Sequence, residues 1–117
     1  MRRTVVIVDD HEQFRRSARN LLELEGFDVV GEAANGASAL VLVDRLEPDV
    51  ALVDIGLPDM TGFEVSERIG GRTRVVLVSS RHRVDVGRRA RSCGAAGFVT
   101  KDELAGERLC ALLEGQT

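Results

Sequence analysis

Asp9, Asp10, Asp54, Ser79 and Lys101 lie far apart in the chain, yet each stands at the end of a short run of aliphatic or β-branched residues. Thr4-Val5-Val6-Ile7-Val8 stops at Asp9-Asp10, Val50-Ala51-Leu52-Val53 at Asp54, Val75-Val76-Leu77-Val78 at Ser79-Ser80, and Phe98-Val99-Thr100 at Lys101. Runs of this kind read as buried strands, and in a parallel sheet all C-terminal strand ends share one edge, where ligands bind in open α/β folds. The polar residues therefore converge. Three neighbouring carboxylates repel one another and raise at least one pKa unless a cation joins them. An all-oxygen site of carboxylates, a backbone carbonyl and waters suits Mg²⁺, and no His or Cys is expected close enough to prefer zinc. An aspartate beside Mg²⁺, a lysine and a hydroxyl is equipped for phosphoryl transfer, the carboxylate attacking and fixed positive charge stabilising the equatorial oxygens.

The elements that must hold these residues alternate along the chain. After the first strand, Phe14, Ala18, Leu21 and Leu22 form a helical stripe that Gly26 closes. Residues 27–32 follow as a less apolar strand suited to a sheet edge. Asn35-Gly36 opens a second helix with Ala39, Leu40, Val43 and Leu46 inward, ended by Pro48. The turn after Asp54, Ile55-Gly56-Leu57-Pro58-Asp59-Met60-Thr61-Gly62, leads into a third helix stopped by Gly70-Gly71. Residues 81–93 give a weakly anchored fourth helix rich in arginine, and Asp102 is placed to cap a fifth through Leu104, Leu109, Leu112 and Leu113. Five βα units imply an α/β, doubly wound parallel sheet with right-handed crossovers and five helices spread over both faces.

Composition narrows the function classes. A chain of 117 residues suits one domain, with 114–117 as the possible start of a linker, and buries roughly two-thirds of its surface on folding. Apolar residues make up 44% and charged residues 30%, the balance of an ordinary soluble core. No run approaches the ~18 apolar residues of a membrane span, and Met1-Arg2-Arg3 leads into a strand and not a signal sequence, so the expected compartment is the cytoplasm. Cys93 and Cys110 have no metal-ligand spacing and read as small buried hydrophobes. A net charge of −3 gives no reason to expect nucleic-acid binding by the whole domain.

Four segments carry a resemblance: V-V-I-V-D-D (residues 5–10), L-V-D-I-G-L-P-D-M-T-G (52–62), V-L-V-S-S (76–80) and G-A-A-G-F-V-T-K (94–101). Each is weak alone, but in this order and spacing they resemble the receiver domain of bacterial two-component response regulators over essentially the whole chain. The G-F-V-T-K-D ending, with no proline after the lysine, is closest in style to receivers of LuxR/NarL-type regulators. The resemblance implies strand order 2-1-3-4-5, an order the flavodoxin-like regulators share. It implies that Asp54 takes a phosphoryl group from a histidine kinase, that Asp10 and Asp54 ligate Mg²⁺ with Asp9 assisting, and that the Gly56 carbonyl completes the protein ligands. Ser79 stands at the position of a switch hydroxyl and Phe98 at that of an aromatic that turns inward on activation. The fourth helix, fifth strand and fifth helix would be the readout face, controlling an output such as transcription. Partners implied are a phosphorylation-dependent homodimer and DNA reached only through a separate output domain. Such a domain turns over no independent substrate; it catalyses its own phosphorylation and dephosphorylation. Leu57-Pro58 replaces the commoner Met-Pro of the family, a change of packing.

Plain readings stand beside these. Asp9-Asp10 would suit the start of any helix, Asp54 a turn, Phe98 a core strand, and Lys101 an exposed position before a cap. The arginines at 81, 83, 88, 89 and 91 read as a solvated face, and His11 and His82 as surface residues with no role. An aspartate-nucleophile phosphatase of the haloacid-dehalogenase type would want D-x-D where Asp9-Asp10 are adjacent. A nucleotide or flavin domain would want a glycine-rich loop where Asp9-Asp10-His11-Glu12 stand. The serious rival is a receiver-like interaction module that works without phosphorylation; its expected mark, loss of an acid-pair residue, Asp54 or Lys101, is absent.

Overall fold

A computed structural model describes residues 2–80, 84–104 and 111. Strands β1 (Thr4–Val8), β2 (Asp28–Ala33), β3 (Val50–Asp54), β4 (Arg74–Ser79) and β5 (Gly97–Thr100) alternate with helices α1 (Glu12–Leu24), α2 (Gly36–Leu46), α3 (Gly62–Ile69) and α4 (Val84–Ser92). The sheet is parallel throughout, in the order β2-β1-β3-β4-β5. Among the described residues there are thus four α-helices where five were expected. The fifth falls on residues outside the described set apart from Ala111, and its start is not where Asp102 was expected to cap it. Lys101–Glu103 form a single 3₁₀ turn, and Leu104 is already extended.

The core follows from the period of two. Val6, Val8, Ala51, Val53, Val75 and Leu77 face one way, onto Ala39 and Val43 of α2, Phe63, Val65 and Ile69 of α3, and Ala90 of α4. Val5, Ile7, Val50, Leu52, Val76, Val78 and Val99 face the other way, onto Ala18 and Leu22 of α1. Central strands covered on both sides must be apolar along their covered length, as β1 is from Val5 to Val8 and β3 from Val50 to Val53. β2 sits at the edge, as its composition suggested, and exposes Val30. Cys93 is buried, whereas Cys110 lies outside the described residues.

Two caps bear on the rim of the sheet. Asn35 Oδ1 accepts the Ser38 N–H at 2.8 Å, and the Asp59 carboxylate accepts the N–H groups of Gly36 at 2.8 Å and Ala37 at 3.0 Å. The β3–α3 loop is thereby tied to the first turn of α2, and those two amides hold the Asp59 carboxyl below its ordinary value. At the far end of that loop Thr61 Oγ1 accepts the Glu64 N–H at 3.1 Å, and Gly62 donates to the Ile55 carbonyl at 3.0 Å. A Cβ at Gly62 would stand 2.6 Å from the Asp54 carbonyl oxygen and 2.9 Å from Ile55 Cα, both backbone atoms. Gly62→Ala is therefore expected to cost about 1–3 kcal/mol through overpacking, read as a lower denaturant midpoint at unchanged m. A neutral Gly62→Ala would mean that α3 does not abut the end of β3.

Candidate functional site

The register of the sheet assembles the site. Val8 pairs with Val53, so Asp9 comes level with Asp54; Asp54 pairs with Val78, so Ser79 lies one residue beyond; Ser79 pairs with Thr100, so Lys101 lies one beyond that. A shift of one residue in any of these pairings would turn a side chain to the opposite face. The structure thus brings together Asp9, Asp54, Ser79 and Lys101 along one edge, with Asp10 on the loop that leads into α1. A depression of about 320 Å³ opens there, lined by His11, Asp54, Ile55, Gly56, Ser79, Ser80 and Lys101.

Asp9 is the structural centre of the group. It is fully buried, with Oδ1 accepting the His11 backbone N–H at 2.8 Å and Oδ2 2.8 Å from Lys101 Nζ. The lysine contact is an ion pair; its angles fall outside hydrogen-bond geometry. Lys101 thus pairs with Asp9 at the end of β1, and its ammonium also lies over the Phe14 ring, 4.4 Å from the centroid. Asp10 is partly exposed.

Asp54 is only 6% exposed. Burial raises its carboxyl pKa first, and the charge of Asp9 raises it further; Lys101 and the Gly56 backbone N–H pull it back only in part. A carboxylate in that position is short of positive charge. Gly56 has open space around it, with nothing within 4 Å of where a Cβ would be. Ser79 is buried at the rim, and Phe98 is half-buried against the core that α2, α3 and α4 cover.

Two residues of the site had no assigned role in the sequence. His11 Nδ1 lies 3.1 Å from Asp9 Oδ1 and 3.1 Å from Asp10 Oδ1, which corrects the expectation that no imidazole comes near the acids. Its position directly after Asp9-Asp10 was the available signal. Arg15 Nη1 donates to the Asp9 carbonyl at 2.6 Å while its Nε donates to Glu32 Oε1 at 3.1 Å; Arg19 Nε holds the other Glu32 oxygen at 2.7 Å. Although partial burial opposes it, hydrogen bonds from Arg19 and Arg15 hold the Glu32 carboxyl below its ordinary value. This chain of contacts pins the Asp9-Asp10 loop to β2. Nothing in the sequence spacing links residue 15 to residue 32.

The donor set fits a divalent cation. Ligand atoms of Asp9, Asp10, His11 and Asp54 all lie within 4.8 Å of one another, and a cation is what the raised Asp54 carboxyl lacks. Three carboxylates and an open rim suit a hard ion that keeps several of its waters.

Known proteins share this sequence pattern and this fold. The sequence model of the response regulator receiver domain matches residues 5–114. The "Probable transcriptional regulatory protein NarL" of Mycobacterium tuberculosis is 40% identical over 114 residues, covering 94% of this chain and 53% of that protein. The DNA-binding transcriptional activator EvgA of Escherichia coli K12 is 32% identical over 101 residues, covering 84% of this chain and 50% of that protein. Among solved structures, the signal receiver domain of the M. tuberculosis NarL superposes with a TM-score of 0.87 at 38% identity, covering 97% of this chain and 95% of that one. The chain spans about half the length of the curated relatives it matches. Among the described residues, no helix is long and apolar enough to cross a membrane.

Proposed function

Because the chain belongs to the response regulator receiver domain family, we propose that Asp54 is its phosphoacceptor, taking a phosphoryl group from a phosphohistidine of a partner kinase. The observation that carries this is the Asp54 carboxylate itself, buried at a sheet edge beside a second acid and a lysine, with its pKa raised. An Asp54 oxygen forms the new O–P bond as the P–N bond to the donor breaks, and the departing imidazole nitrogen takes up a proton. Asp10 and Asp54, with Asp9 assisting, would hold Mg²⁺, and the Gly56 carbonyl would complete the protein ligands. When bound, the ion supplies positive charge to the transferring oxygens.

The side chains of this chain do the rest. Lys101, held at the rim by Asp9, presents an ammonium that can swing to a phosphoryl oxygen. Ser79, one register step from Asp54, can donate its hydroxyl to another. Movement of Ser79 toward the phosphoryl group would free space beside β5 for Phe98 to turn inward. The face of α4, β5 and the chain beyond would thereby change. Arg88 and Arg91 are exposed on α4 and suit a phosphorylation-dependent homodimer, whereas Arg89 is taken up by the Phe63 ring, 4.0 Å from its centroid. The output we propose is control of transcription, because the matched relatives are transcriptional regulators of about twice this length. DNA would be reached through a separate output domain.

The test is incubation with acetyl phosphate and Mg²⁺ followed by intact-mass and peptide mass spectrometry. One phosphoryl adduct on the peptide that holds Asp54 is expected, absent in Asp54→Asn. An adduct of equal yield in Asp54→Asn, or none in the wild type, overturns the assignment.

A further inference from the structure

We infer that His11 is a fourth protein ligand of the acidic rim, which makes the same pocket a site for a borderline divalent ion of the zinc class. The inference rests on the proposed cation site and adds to it an imidazole and a second kind of metal. The family resemblance implies oxygen ligands only, and His11 lies outside that set.

The geometry comes from two equal distances. His11 Nδ1 stands 3.1 Å from an oxygen of Asp9, a hydrogen bond, and 3.1 Å from an oxygen of Asp10, so an ion bound there would take the place of the proton between ring and carboxylate. Ligand atoms on a tetrahedral ion with bonds of about 2.0 Å are about 3.3 Å apart; those on neighbouring corners of an octahedral ion with bonds of about 2.1 Å are about 3.0 Å apart. The spacing suits either ion, so donor chemistry decides. Imidazole is a good ligand for Zn²⁺ and Co²⁺ and a poor one for Mg²⁺, which takes oxygen and keeps its waters.

The support for His11 is stiff at its root and free at its tip. Its backbone N–H is bonded to Asp9 Oδ1 and its carbonyl accepts the Arg15 N–H at 3.1 Å, while the side chain is 68% exposed. The ring can therefore turn toward an ion without repacking the core. Asp9, Asp10, His11 and Asp54 are four donors, none farther than 4.8 Å from another, and adjustment of the carboxylate rotamers would bring them onto one ion. Four protein ligands complete a tetrahedral shell and leave no open position. A zinc-class ion would then occupy the Asp54 oxygens that phosphoryl transfer needs, and so act as an inhibitor of the site.

The probe is Co²⁺, whose visible absorption is strong when tetrahedral and weak when octahedral. The wild-type protein should show the strong form, and His11→Gln, exposed enough to leave the fold intact, should lose it. By calorimetry the ratio of Mg²⁺ to Zn²⁺ dissociation constants should fall at least about tenfold in His11→Gln, since even a group that only supports a metal ligand commands that much. Zn²⁺ should also suppress the acetyl phosphate adduct in the wild type more than in the variant. Weak octahedral absorption in the wild type, or an unchanged ratio in His11→Gln, overturns the inference while Mg²⁺-dependent phosphorylation stands. If no adduct forms with Mg²⁺ alone, it is the phosphoacceptor reading that fails.

Discussion

Lys101→Met is expected to lower folding stability by about 3–5 kcal/mol, because it removes one partner of a buried ion pair and leaves the other charge uncompensated. The other charge is Asp9, fully buried, whose Oδ2 is 2.8 Å from the lysine nitrogen. Lys101 is itself only 20% exposed at the side chain, so little screening by water reduces the effect. Methionine keeps an apolar side chain of similar length while removing the ammonium from both Asp9 and the Phe14 ring, so the loss read is that of the charge. Urea unfolding at neutral pH measures it, and a change within about 0.5 kcal/mol, the range of ordinary surface substitutions, would show that Lys101 is an incidental surface residue.

Lys101→Arg sharpens the point. Lys101 is the one lysine among sixteen basic residues, the other fifteen being arginine. A compact ammonium fits as a point charge between the Phe14 ring and Asp9, whereas a planar guanidinium is wider and seeks a bidentate partner. The arginine variant should fold and accept phosphate while losing the response of Ser79, Phe98 and α4. NMR shifts around Phe98 with and without phosphodonor decide this, and a full response in the variant would place the cationic part of the site elsewhere.

Asp54→Asn is expected to stabilise the metal-free protein even as it abolishes phosphorylation. Burial, then the Asp9 charge, raise the Asp54 carboxyl above its ordinary value of 3.8. The folded protein thus binds that proton more tightly than the unfolded chain. The contribution of Asp54 to stability is full below pH 3.8 and is lost as pH rises through the raised folded value. At neutral pH the ionised side chain opposes folding, and the isosteric amide removes the opposition. A gain of about 0.5–2 kcal/mol, or about 2–8 °C in Tm, is the scale of such single stabilising changes in a domain of this size.

Two further observations separate this from general stabilisation. The gain should shrink as pH falls through the raised folded value and be gone by about pH 3.8, below which the wild-type carboxyl is neutral in the folded and the unfolded chain alike. Mg²⁺ at a hundredfold excess over its dissociation constant should stabilise the wild type by about 2.7 kcal/mol and Asp54→Asn by less. Equal Mg²⁺ shifts in the two proteins would show that Asp54 does not share a site with Asp9 and Asp10.

Most of the architecture was legible because burial on both faces leaves a strong trace. Val5-Val6-Ile7-Val8, Val50-Ala51-Leu52-Val53 and Val75-Val76-Leu77-Val78 could only be central strands, and the polar residues ending them had to meet on one edge. The weaker composition of residues 27–32 foretold an edge strand for the same reason. Helix ends were legible where Gly or Pro marks them, α2 stopping at Leu46 ahead of Pro48 and α3 at Gly70, and less so elsewhere: Asp102 falls inside a 3₁₀ turn where a cap was expected. Ends depend on a few local hydrogen bonds, and those answer to tertiary packing more than to residue type.

What the amino-acid sequence determined by itself was which residues reach the rim: Asp9, Asp10, Asp54, Ser79 and Lys101, through apolar strands of period two and a parallel order. What the tertiary structure alone decided was who touches whom there. Lys101 pairs with Asp9 and not Asp54, His11 turns its ring to two carboxylates, Arg15 reaches back to the Asp9 carbonyl, and Asp59 crosses to the amides of α2. Strand ends are set by burial, which a local run of residues already specifies. Contacts at the rim are set by register and rotamer, where a shift of one residue or of one side-chain angle exchanges one oxygen for another, and only the packed fold selects between them.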